Sequence, residues 1–193
     1  MHPIHIIGPV DGLFLLHTCM TYFPGTNDHL GLWNPATQEF RRLSKPNFRF
    51  PIGDTRSNIL GFGFRLDPLT KEKDYKVVWI PTFAPGSCSD YAATALYTLG
   101  AESWKQIENP NVLDSIRDIW WRCSGSFHDC KECFDGVFVN GAFYWLVECN
   151  CGRQIGLFDM GTDEFRKIPA PNGIEAAFRD LDLVLHNDSI ALL

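Results

Sequence analysis

Apolar residues in this chain fall in short runs bounded by Gly, Pro, Asn or Asp. Gly12-Leu13-Phe14-Leu15-Leu16, Tyr75-Lys76-Val77-Val78-Trp79-Ile80, Gly136-Val137-Phe138-Val139 and Ala142-Phe143-Tyr144-Trp145-Leu146-Val147 are rich in β-branched and aromatic side chains and read as strands. Asn140-Gly141 joins the last two. That dipeptide accepts positive φ at both positions and predicts a two-residue hairpin. Helical spacing is scarce. Val112 to Trp121 places Val112, Ile116, Ile119 and Trp120 near a helical period, and reads either as a helix or as an irregular loop ending in a strand. The polar stretches Asn47 to Asn58, Ala84 to Asp90 and Ser124 to Glu132 read as loops.

One pattern occurs three times. Leu32-Trp33-Asn34-Pro35-Ala36-Thr37-Gln38-Glu39-Phe40-Arg41-Arg42-Leu43 is matched by Leu96-Tyr97 through Trp104-Lys105-Gln106-Ile107, and again by Leu157-Phe158 through Phe165-Arg166-Lys167-Ile168. Each copy runs aromatic, turn, aromatic, basic, aliphatic, and Pro46, Pro110 or Pro171 follows. A fixed period marks an array of similar units. The recurring aromatics Trp33, Tyr97, Phe158 and Phe40, Trp104, Phe165 are therefore expected in the core.

Within each copy the second aromatic and the final aliphatic are three positions apart, as in Trp104 and Ile107. On a strand such positions point to opposite faces. Both faces are then covered, as in a β-propeller, whose blades stack against two neighbours. Front halves of the unit precede the first and third copies, and Leu185 to Leu193 resembles the front half of another. The expected fold is all-β: a partial β-propeller of antiparallel blades, about three units and the start of a fourth. Residues 1–193 then form one propeller-like domain, incomplete at both ends, since closed rings hold 4–8 blades.

The composition narrows the partners. The net charge is −6, which disfavours nucleic acid and anionic membranes, because both need clustered Lys and Arg. No apolar run approaches the ~20 residues of a membrane span, and the N-terminus lacks a secretory signal pattern. Seven Cys cannot all pair within one chain, so a reducing compartment is expected, the cytoplasm or the nucleus.

Chemistry-bearing clusters are few. Cys130-x-x-Cys133 and Cys149-x-Cys151 flank the Asn140-Gly141 hairpin. Extending its register would face Cys130 with Cys151 and bring Cys133 near Cys149, a candidate zinc set, a cross-strand disulfide, or free thiols. Cys130 with His128 could be imagined as nucleophile and base, but nothing orients the pair. His17, His29, His128 and His186 are scattered. Gly61-Phe62-Gly63-Phe64 lacks the third glycine and helix of a nucleotide site. Asp11, Asp67, Asp74, Asp159 and Asp163 read as turn-capping residues. No enzyme motif is present, no catalytic residue is assigned, and no cofactor is expected.

Across nearly the whole chain, Asp11-Gly12-Leu13, the Trp33 repeat, Gly61-Phe62-Gly63-Phe64 with Asp67-Pro68 and Asp74-Tyr75-Lys76-Val77-Val78, Leu96-Tyr97-Thr98-Leu99 with Trp104-Lys105, Val139-Asn140-Gly141-Ala142-Phe143-Tyr144-Trp145 and Phe158-Asp159-Met160-Gly161-Thr162 resemble the F-box-associated domain of plant F-box proteins. The pattern is most similar to the S-locus F-box and S-locus F-box-like branch. The resemblance implies a kelch-like propeller that recognises target proteins for an SCF-type ubiquitin ligase. In the S-locus branch the target is a pistil ribonuclease, often basic, of self-incompatibility. No F-box precedes Ile6, so a Skp1-like adaptor is expected as partner only if an F-box lies upstream.

The expected function is therefore non-enzymatic binding of a target protein. Its surface would be the loops Phe48–Asn58, Ala84–Tyr91 and Trp121–Cys133. Phe48, Arg49, Phe50, Tyr91, Trp121, Arg122 and Phe127 are the candidate anchors, because aromatic and Arg side chains dominate interface energetics. The alternatives are a stand-alone kelch-like interaction module, a kelch-type oxidase with metal ligands on its axis, and an oligomeric structural protein.

Overall fold

A computed structural model describes residues 4–18, 29–46, 55–83, 94–107, 136–149, 152–169, 171 and 182–193. Three four-stranded antiparallel sheets and one hairpin follow each other along the chain. Blade 1 comprises β1 (Ile4–Val10), β2 (Leu13–Thr18), β3 (His29–Asn34) and β4 (Glu39–Arg42). Blade 2 comprises β5 (Thr55–Leu66), β6 (Lys73–Phe83), β7 (Thr94–Thr98) and β8 (Ser103–Ile107). Blade 3 comprises β9 (Gly136–Val139), β10 (Ala142–Cys149), β11 (Gly152–Asp159) and β12 (Glu164–Pro169). The hairpin pairs β13 (Leu183–His186) with β14 (Ser189–Leu192). In each sheet the strands lie in sequence order, so every blade is a simple meander. The first strands gather around one axis: β1 meets β5, β5 meets β9, β9 meets β13, and β1 also approaches β9. This is the partial propeller that the repeat predicts, and no helix occurs among the described residues.

Alternation along the strands makes the seams. On β6, Val77 and Trp79 pack toward blade 1, while Val78 and Ile80 pack toward blade 3. On β7, Ala95 and Tyr97 face blade 1 and Leu96 faces blade 3. Both faces of blade 2 are thus buried, as continuous apolar runs require. Each seam sets aliphatic side chains of one blade against aromatic ones of the next. Leu15, Leu30, Leu32 and Leu43 meet Trp79, Tyr97 and Trp104 at the first seam. Val78, Ile80 and Leu96 meet Phe143, Trp145, Phe158 and Phe165 at the second. The rings form offset and edge-on clusters, with Phe158–Phe165 centroids 4.7 Å apart and Tyr97–Trp104 centroids 5.2 Å apart.

Gly61-Phe62-Gly63-Phe64 on β5 belongs to this scheme. Phe62 and Phe64 contribute to the seam with blade 1. Gly61 and Gly63 face blade 3, where a Cβ would lie 2.5 Å from the Phe143 ring and 2.3 Å from the Phe138 ring. The absent side chains let those rings lie on the backbone. At the Asn140-Gly141 hairpin φ is 50° and 80°, and Asp11-Gly12 has the same signs, 53° and 79°. These are the turns whose twist matches that of the strands they join. The hairpin Leu183–Leu192 repeats this form with Asn187 and Asp188.

Several expectations are corrected. Phe40 is not core: it is 59% exposed, on the face of blade 1 turned away from blade 2, and among the described residues no blade covers that face. Phe165, its counterpart in blade 3, is 9% exposed. Trp33 and Trp104 are half-buried. Residues 55–58, read as part of a polar loop, begin β5 through main-chain pairing with β6. The segment Val112 to Trp121 lies outside the described residues.

Replacing Phe158, which is fully buried, with Ala is expected to cost about 3–5 kcal/mol. Phe40→Ala should stay within about 0.5 kcal/mol. Urea titrations of the two variants check the contrast; equal losses would contradict the assignment of the faces.

Candidate binding face at the loop end of the blades

An up-and-down blade has two unlike ends. Turns between first and second strands and between third and fourth strands share one end, here called the turn end. Connections from second to third strand, and from one blade to the next, share the other, the loop end. At the turn end the connections are tight: Asp11-Gly12, residues 35–38, 67–72 and 99–102, Asn140-Gly141 and residues 160–163. Asp67 and Asp159 each accept two backbone N–H groups through Oδ1, from Leu69 and Thr70 and from Gly161 and Thr162, at 2.8–3.0 Å. The capping role expected of these two Asp residues holds. Asn34 does the same for Ala36 and Thr37.

The other Asp residues have further roles. Asp11 accepts the Tyr75 hydroxyl at 2.5 Å and pairs with Lys73 Nζ at 2.5 Å, across the seam between blades 1 and 2. Hydrogen bonds from Lys73 and Tyr75 hold the Asp11 carboxyl below its ordinary range. Burial, then the Asp11 bond, pushes the Tyr75 hydroxyl up. Asp74 pairs with Arg65 at 3.4 Å within blade 2. Asp163 sits at φ 59° in the β11–β12 turn and reaches back to blade 2. There it binds Lys105 Nζ at 2.5 Å and also Lys76, whose side chain is 3% exposed and whose Nζ donates to the Met160 carbonyl at 2.7 Å. Burial raises the Asp163 pKa, but the hydrogen bonds from Lys105 and Lys76 outweigh it, and the carboxyl titrates below its usual value. Glu102 occupies the matching turn of blade 2, at φ 49°, and meets Arg41 of blade 1 at 2.5 Å. The turn end is thus a set of closed ion pairs.

The sequence-predicted anchors lie in the segments between described strands. Phe48, Arg49 and Phe50 lie between Arg42 and Thr55, Tyr91 lies between Phe83 and Thr94, and Trp121, Arg122 and Phe127 lie between Ile107 and Gly136. All seven fall outside the described residues. The six strand ends that flank them all open at the same end of the propeller. Sequence spacing alone does not reveal that convergence; the strand count per blade does.

Described residues at this end form a rim on blades 1 and 2. His5 and His17 face each other across β1 and β2, with ring centroids 6.1 Å apart, and the buried His17 meets the Trp79 ring edge-on at 6.4 Å. Burial, then repulsion from His17, lowers the His5 pKa. His29 Nδ1 lies 2.6 Å from Arg42 Nη2, and the Trp104 indole N–H donates to the Ser44 carbonyl at 2.6 Å. The sequence shows scattered histidines; the sheet brings three to one end of blade 1.

The hairpin register holds from Val139↔Ala142 to Gly136↔Trp145, and β10 ends at Cys149, whose partner on β11 is Gly152. Cys130, Cys133 and Cys151 lie outside the described residues. Among the described residues no three His, Cys, Asp or Glu side chains converge as a metal site, and no helix is long and apolar enough to cross a membrane.

Four-stranded meander blades whose first strands gather around one axis define a partial β-propeller. The chain belongs to the F-box associated β-propeller family, whose pattern matches residues 2–193. It is similar to a protein named as an F-box/kelch-repeat protein in Arabidopsis thaliana, with 25% identity over 199 residues, 99% of this chain and 42% of the relative. The F-box protein CPR1 of the same plant is 24% identical over 190 residues, 94% of this chain and 43% of the relative. Another Arabidopsis protein with an F-box name is 29% identical over 161 residues, 80% and 37%. The chain spans about two-fifths of the length of these relatives.

Asp163→Ala leaves the buried Lys76 without its carboxylate and should cost about 3 kcal/mol near neutral pH, the low end for a broken buried pair because Asp163 is 21% exposed. The folded pKa is lowered from 3.8. The stabilisation is therefore complete above that value and fades as pH falls through the folded value. Denaturation curves should show the wild type and Asp163→Ala converging in acid below pH 3.8; a constant gap would contradict the ion pair.

Proposed function

We propose that this chain is the target-recognition module of an F-box-type substrate receptor, non-enzymatic, binding a protein through the loop end of its blades and presenting it to an SCF-type ubiquitin ligase. The observation that carries this reading is that the strand ends flanking 43–54, 84–93 and 108–135 all open at one end of a scaffold whose seams are closed by apolar packing and ion pairs. Loops on a rigid framework are where recognition residues sit. Membership of the F-box associated family and the F-box names of the relatives supply the ligase context. Phe48, Arg49, Phe50, Tyr91, Trp121, Arg122 and Phe127 are the proposed anchors. The proposed domain is residues 1–193, and the proposed location is the cytoplasm or nucleus. A pistil ribonuclease as target is the finer reading, and its support is the resemblance to S-locus F-box sequences alone.

Cross-linking mass spectrometry on the chain incubated with plant extract tests the binding end. Cross-links to captured proteins are expected within 47–54, 84–93 and 108–135, and those proteins should accumulate ubiquitin conjugates when the chain is joined to an F-box. Cross-links concentrated at the turn end, around 67–72 and 160–163, would overturn the reading.

A further inference from the structure

We infer that Asn140-Gly141 is a site of spontaneous deamidation, and that its conversion to a carboxylate loosens the hairpin β13–β14 from blade 3. Asn is a thermolabile residue. Deamidation begins when the backbone nitrogen of the next residue attacks the Asn side-chain carbonyl, so it needs an N–H and room to approach. Among the described residues Asn stands at 34, 58, 140 and 187. Pro35 follows Asn34 and has no N–H. Ile59 follows Asn58 in the paired part of β5, and its branched side chain crowds that nitrogen. Asp188 follows Asn187 and carries a side chain beside its nitrogen. Gly141, after Asn140, leaves its nitrogen bare. Asn140 is exposed, and a Cβ built on Gly141 would meet nothing within 4 Å, so a cyclic imide forms there in open space.

A second turn gives the contrast. Asp11-Gly12 has the same backbone form, with φ 53° and 79° against 50° and 80° at Asn140-Gly141. The Asp11 side chain is a carboxylate held ionised by Lys73 and Tyr75, and an ionised carboxylate resists attack by nitrogen. The Asn140 side chain is an uncharged amide, whose Nδ2 donates to the Asp188 carbonyl at 3.0 Å. The reaction balances with water alone. Gly141 N bonds to Asn140 Cγ, the Cγ–Nδ2 bond breaks, and Nδ2 leaves as ammonia with the proton that Gly141 N gives up through water. Water then opens the imide at either carbonyl and yields Asp or isoaspartate. The nitrogen that leaves is the one that ties the two turns together. The hairpin is a two-stranded sheet resting on β9 and β10. After conversion a carboxylate oxygen faces the Asp188 carbonyl with no proton between them, and the Asp188 side chain adds like charge at the same turn. Isoaspartate also lengthens the main chain inside a turn whose two residues set the register Val139↔Ala142. The change runs one way, so the joint between blade 3 and the hairpin records the age of the molecule.

The test ages the purified intact chain in warm, mildly alkaline buffer and follows its peptides by mass spectrometry. Asn140 is expected to show the mass change of amide to acid before Asn34, Asn58 or Asn187, and Asp11-Gly12 to stay free of isoaspartate. Hydrogen exchange then reads the joint. Amides of β13 and β14 should exchange about fivefold faster in the aged, more acidic fraction isolated by anion exchange, as loss of about one net hydrogen bond implies. Asn140→Asp should show the same acceleration. Conversion of another described Asn ahead of Asn140 overturns the site, and unchanged hairpin exchange in the aged fraction overturns the consequence. The aged fraction comes from the unaltered chain, so neither reading depends on a variant that folds.

Discussion

The fold depends on one contact, repeated: an aliphatic sheet face laid against an aromatic one. At the first seam Leu15, Leu30 and Leu32 lie against Trp79 and Tyr97; at the second Val78, Ile80 and Leu96 lie against Phe143, Trp145 and Phe158. Single blades of four strands expose two apolar faces and have little reason to persist alone. Burial at about 25 cal/mol per Å² makes each large ring worth several times a surface ion pair. The charged contacts between blades, such as Arg41–Glu102, then serve to align faces that hydrophobic burial has already brought together. The outer strands carry Arg41, Arg42, Lys105, Arg166 and Lys167, and such cations discourage pairing of exposed edges with other chains.

Rigid seams and long connections divide the labour. Val78, Leu96, Phe143 and Phe158 are almost wholly buried, and substitutions there change stability. The strand ends at the loop end lie apart from these four residues, although Leu43, just beyond β4, still belongs to the first seam.

Much of the architecture is written locally. The repeat, the Asn140-Gly141 turn and the opposed facing of Trp104 and Ile107 follow from spacing alone, and the observed faces agree. What escapes is what depends on distant partners. Gly8-Pro9 interrupts the apolar run of β1 and hides it, yet the strand pairs with β2 on either side of a register shift. Thr55 to Asn58 are polar and look like loop, but main-chain pairing with β6 holds them as strand. Phe40 carries the same local pattern as Phe165 and differs only in what stands opposite. Asp163 and Lys76 are 87 residues apart, and no local rule joins them. At the candidate face, residue types that suit binding are legible, but their common end emerges only once each blade is known to be a four-stranded meander.

The carboxylate in the turn before the last strand has a consequence for how such chains grow. Glu102 reaches back to Arg41, and Asp163 reaches back to Lys105. Blade 2 therefore carries a plug on one flank, Glu102, and a socket on the other, Lys105, both encoded within its own stretch of sequence. A gene segment copied in tandem would yield a unit that docks on its parent with no further mutation, so the number of units can change by duplication while the chemistry that couples them is inherited whole.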